Sequence, residues 1–61
     1  MTDCNGATIG VGDVVEVVDL HMSGEVESIS KIRNWAYVMA NGVTGWYAKN
    51  ELRLVRRKEK A

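Results

Sequence analysis

The dipeptide Asn41-Gly42 lies between two apolar, aromatic-rich runs, Trp35–Ala40 and Val43–Tyr47. Asn-Gly is the strongest short-range hairpin signal because both central residues of a type I′ turn need positive φ. The two runs therefore read as adjacent antiparallel strands. Side chains alternate across a strand. Trp35, Tyr37 and Met39 then share one face of the first run, and Ala36, Val38 and Ala40 share the other.

The rest of the chain supplies three more short strands. Gly10 and Gly12 frame a turn into the β-branched run Val14–Val18, a composition that strands favour. Val15 and Val17 share one face of it, leaving Val14 and Val18 on the other. Asp19 to Ser23 reads as a loop ending at Gly24. Glu25 to Ile32 is a second strand in which Val26 and Ile29 point opposite ways, the mark of a bulge or strong twist. Ala48 to Glu51 is too short for an α-helix and suits a single 3₁₀ turn. Leu52 to Val55 is a fifth strand. Residues 1–8, with Asn5-Gly6 and no periodicity, read as a flexible arm, and 56–61 as a charged tail. The expectation is an all-β domain over 9–55, a five-stranded SH3-like barrel with one short 3₁₀ turn before the last strand. Short strands in so small a chain need to close on themselves to protect their edges.

At 61 residues the domain buries only about 60% of its unfolded surface. Chains of this size often gain stability from disulfides, a metal or self-association. Cys4 is the only cysteine and His21 the only histidine, so neither an internal disulfide nor a closed zinc site is available. Self-association is left. No segment is apolar enough to span a membrane. A lone thiol without an export signal suggests a cytoplasmic protein. The net charge is zero, yet residues 1–30 carry −6 and residues 31–61 carry +6. That polarity suits either an anionic partner for the basic half or mutual neutralisation of the halves.

Resemblances to known families agree with this architecture. Trp35 to Val55, reading WAYVMANGVTGWYAKNELRLV, resembles the second half of an SH3 domain, and Gly12-Asp13-Val14-Val15-Glu16-Val17 looks like the SH3 Gly-Asp strand. Trp35 and Asn50 match binding residues of that family, with Trp46 a third. The family's ligand-stacking proline and tyrosine positions hold Ala48 and Glu51. Ala7 to Val15, reading ATIGVGDVV, is similar to the opening of the plasmid-borne type II dihydrofolate reductases, SH3-like barrels in which four subunits enclose a pore for folate and NADPH. Of that family's Val-Gln-Ile-Tyr pore motif, falling on Thr44-Gly45-Trp46-Tyr47, only Tyr47 is kept. Lys31 corresponds to a family lysine. The Gly-Asp-x-Val-x-Val start and Gly-x-Val second strand also resemble the KOW-type barrels of RNA-binding proteins.

Three readings of function follow. The favoured one is a non-catalytic binding or assembly module, without cofactor or metal, that recognises a protein partner or itself through Trp35, Tyr37, Trp46 and Asn50. The aromatics can also serve as core, because the chain has no phenylalanine. A second reading makes Lys31, Arg33, Lys49, Arg53, Arg56 and Arg57 a surface for single-stranded nucleic acid, phosphates on the cations and bases on the rings. Ordinary solvated surface explains the same charges. A third is a reductase-like oligomer using NADPH, with Lys31 and Tyr47 lining its pore. His21 and Cys4 lack the neighbouring base, acid or nucleophile that catalysis needs. Asp13 reads as a turn-shaping residue.

Overall fold

A computed structural model describes residues 1–58 of the chain. Five antiparallel strands form one sheet: β1 (Val14–Val17), β2 (Met22–Ser30), β3 (Trp35–Ala40), β4 (Val43–Ala48) and β5 (Leu52–Arg56). They lie in the order β4-β3-β2-β1-β5. The expected 3₁₀ turn spans Lys49–Glu51, and a second one, Val18–Leu20, leads into β2. β2 starts at Met22, within the expected loop. It ends at Ser30, short of Ile32, which is 97% exposed in the turn that follows. The chain turns sharply enough at His21, in the left-handed region at φ 52°, to leave only that residue between the 3₁₀ turn and the strand.

The hairpin is where Asn41-Gly42 predicts it, with φ values of 52° and 77°. The irregularity in the second strand is also present, as a register shift between Val26 and Ser28. Among the described residues there is no α-helix and no second sheet to cover this one. Even so, Val15, Val26, Ala36, Val38 and Leu52 are completely buried and, with Ile9 and Val17, form a single cluster. The sheet's own strands cover them together with Met1 and Ile9 of the N-terminal segment, so the sheet curls around this core. The first half of β2 pairs with β1 and the second with β3. Gly24 sits near this changeover. A Cβ there would lie 2.2 Å from the Met39 carbonyl oxygen, so glycine is required for the two strands to approach.

The strand ladder is not a closed ring. No pairing joins β4 to β5 among the described residues. One end of the ladder is instead covered by the segment expected to be a free arm. Thr2 bridges Thr8, the Cys4 amide donates to the Leu52 carbonyl at 2.9 Å, and the Ile9 amide donates to the Met1 carbonyl at 2.9 Å. Asp3, only 3% exposed, is the fastener. Its Oδ2 accepts from the Leu54 amide at 2.7 Å and its Oδ1 from the Ala7 and Asn5 amides at 2.8 and 2.9 Å. Burial pushes this carboxyl up, but the three amide bonds outweigh it and hold the group below its ordinary value. Asp13 repeats the device, taking the Gly10 amide on Oδ2 at 2.8 Å and the Lys58 amide on Oδ1 at 2.7 Å. Thus the expected charged tail is, as far as Lys58, bonded to the body. Arg56 belongs to β5, and residues 59–61 lie outside the described residues.

Candidate functional site

Strand parity builds the site. In β3 the small residues Ala36, Val38 and Ala40 point inward and are buried, whereas Trp35 and Met39 are exposed and Tyr37 is half-buried. Register with β4 sets Tyr37 opposite Trp46, Trp35 opposite Ala48 and Met39 opposite Thr44. The result is an outer face carrying both tryptophans, 38% and 48% exposed, beside Tyr37 and Met39. The Tyr37 and Trp46 rings pack at 5.0 Å between centroids with a 50° tilt, a favourable aromatic geometry. The Tyr37 hydroxyl donates to Thr44 Oγ1 at 2.7 Å, fixing the ring's outer end.

Beyond Trp35 the β2–β3 turn returns Arg33 over the indole, with its guanidinium carbon 5.5 Å from the ring centroid. Such exposed cation–π contacts are worth about 0.5–1 kcal/mol. Ser30, Arg33, Trp35 and Trp46 line a groove of about 300 Å³. Its lining brings together two indoles, a guanidinium and a hydroxyl. The groove holds no nucleophile–base pair. It offers flat apolar surface and hydrogen-bond donors, the means of holding a ligand in place.

The other residues singled out from the sequence separate into different places. Asn50 is exposed on the 3₁₀ turn before β5 and does not line the groove. Lys31 is exposed in the β2–β3 turn near Arg33, and Lys49 follows Ala48, the residue opposite Trp35. Arg53 is on β5, held by Glu16 through Nη2 at 2.8 Å and Nε at 3.0 Å. Arg56 and Arg57 line a second cleft of about 240 Å³ with Lys58, Gly12, Val14 and Glu25, and Arg57 donates to the Thr8 carbonyl at 3.1 Å. The six cations therefore do not share one cleft. Tyr47 points inward and packs against the core, its ring over Gly45. Lys31 and Tyr47 share no hydrogen bond among the described residues.

Sequence reasoning missed the Arg33–Trp35 stack and the part Ser30 plays in the groove. The sequence does contain one signal for the stack, the spacing of two between Arg33 and Trp35, but the turn geometry decides it. Among the described residues no cluster of three metal-ligating side chains occurs, and no helix is long and apolar enough to cross a membrane. Comparison of the chain with protein-family models, with curated proteins and with solved structures gives no match.

Proposed function

We propose that the chain is a non-catalytic recognition module of the SH3-like barrel type that docks a segment of a protein partner on the outer face of β3 and β4. One observation carries the reading: two half-exposed indoles, buttressed by Tyr37 and Arg33, border a groove in a chain whose small side chains already fill its core. Tryptophan, tyrosine and arginine are the residues that concentrate binding energy in protein interfaces. The strand order and the sheet that folds over its own core support the barrel assignment.

A peptide library selected against the intact chain tests it. Selected peptides should lose at least tenfold in affinity, about 1.4 kcal/mol, against Trp46→Ala and against Trp35→Ala. Equal affinity for both variants would remove the reading.

Single-stranded nucleic acid is the second reading, favoured by the Arg33–Trp35 stack with Lys31 and Lys49 nearby. Affinity for a labelled oligonucleotide that falls steeply with salt and is lost in Trp35→Ala would select it. The reductase-like reading, with Lys31, Tyr47 and NADPH, has the inward position of Tyr47 against it; oxidation of NADPH by the purified chain with dihydrofolate is its test.

A further inference from the structure

The two ends of the strand ladder are treated differently. The outer edge of β5 is covered: the Leu52 carbonyl accepts from the Cys4 amide, and the Leu54 amide donates to the Asp3 carboxylate. The outer edge of β4 has no such cover among the described residues. Ala40 and Val43 flank a two-residue turn and so form a hydrogen-bonded pair. Alternation along the ladder makes Val38 with Gly45 and Ala36 with Tyr47 the next such pairs. The backbone N–H and C=O groups of Thr44, Trp46 and Ala48 then point away from β3. The Ala48 amide is taken by Glu51 Oε2 at 3.0 Å, which closes that end of the edge. Thr44 and Trp46 keep two donors and two acceptors facing outward.

An open strand edge is a template for another strand. Natural edges are commonly protected by lysine, proline or inward-pointing charge, and β4, reading VTGWYA, has none of these. β5, by contrast, carries Arg53 and Arg56. A two-fold interface repeats on both copies whatever charge it holds, so each charge is desolvated twice. A charge-free strand escapes that cost. The flanking apolar residues Val43 and Trp46 are 64% and 48% exposed.

We infer that β4 pairs antiparallel with β4 of a second copy about a two-fold axis at Gly45, through four backbone hydrogen bonds made by Thr44 and Trp46. The register is set by which groups are free. With Gly45 facing the partner's Gly45, Thr44 exchanges both bonds with the partner's Trp46, and Trp46 does so with the partner's Thr44. Moving the axis one residue toward the turn spends the pairing on Gly42, and moving it the other way calls on the Ala48 amide that Glu51 holds. Glycine suits the axis because side chains crowd closest in non-hydrogen-bonded pairs. The pairing joins two five-stranded sheets into one through backbone groups, so it does not depend on what the Trp35 groove binds.

Sedimentation across the micromolar to millimolar range, with amide hydrogen exchange at both ends of that range, tests the inference. A monomer–dimer equilibrium is expected, with the Thr44 and Trp46 amides exchanging about tenfold or more slowly in the concentrated sample. The Val43 and Gly45 amides, already in the β3 ladder, should change far less. Thr44→Pro removes an outward N–H without touching that ladder and is expected to stay monomeric. Thr44→Lys, which sets a charge at the edge, is the second variant should proline prevent folding. Trp35→Ala should dimerise as the parent does while losing groove ligands. A monomer throughout would overturn the inference. So would a dimer whose Thr44 and Trp46 amides exchange as freely as in dilute solution, one that persists in a folded edge variant, or one abolished by Trp35→Ala.

Discussion

Asp3 is a buried carboxylate that makes no ion pair among the described residues, and three backbone amides hold it below its ordinary value. Replacing it with alanine strands buried donors, and leaving such a group unmatched costs about 1–3 kcal/mol. Urea denaturation of Asp3→Ala should show a loss of that size with little change in slope. Because the folded carboxyl is held below its unfolded value, the folded state binds fewer protons in acid. Its contribution is complete above the ordinary carboxylate value, near pH 4, and is lost as pH falls through the lower folded value. Asp3→Asn, compared with the parent by urea melts between neutral pH and pH 2, should flatten that part of the acid dependence. Gly24 is a steric case. Its alanine variant drives a methyl into the Met39 carbonyl, and a loss of about 1–3 kcal/mol or more is expected from thermal melts. Neither role is legible in the sequence. Asp3 stands in a polar segment without periodicity, and its main partner is 51 residues away. Gly24 is visible only as a glycine at a loop end, since what it must avoid belongs to another strand.

Elements were far easier to read. Trp35–Ala40 and the Asn-Gly turn carry their structure locally, through alternation and through the backbone conformations that asparagine and glycine tolerate. The same alternation puts Trp35, Tyr37 and Met39 on one face, so half of the candidate site follows from one strand once that face is the outer one. The groove does not, because Arg33 and Ser30 reach it through a turn and a neighbouring strand. Replacing Gly42, at φ 77°, with alanine forces a side chain into the left-handed region. A cost of about 1 kcal/mol is expected from denaturation, with the register of β3 and β4 retained in amide exchange.

At the scale of the whole molecule, the core is made of valine, alanine, leucine and isoleucine, with the Tyr47 ring packed against it and both indoles left outside. Sequence alone leaves two placements open for Trp35, because a chain without phenylalanine usually needs its indoles inside. The sheet avoids this by folding tightly enough for small residues to fill the space, with overall dimensions of only 30 × 25 × 18 Å. Native tryptophan fluorescence should accordingly be quenched by acrylamide nearly as well as in urea, and strong protection of both indoles in a monomer would contradict the placement. The charge polarity of the two halves is scarcely used inside the fold: among the described residues one ion pair, Glu16 with Arg53, links them. Pairs so exposed add little to stability. Moderate salt should leave the melting temperature almost unchanged.

The two carboxylates that tie the beginning of the chain to its end also set an order of events. Asp3 waits for Leu54, and Asp13 for Lys58, across 51 and 45 intervening steps of sequence. Loops of that length close late and slow the search for the native topology. During synthesis the β3–β4 hairpin can assemble as soon as it emerges, but the core stays unsealed until β5, which follows it in the chain, has been made as well. Until then the nascent chain displays its valines, and the latch of the fold closes only after every strand is in place.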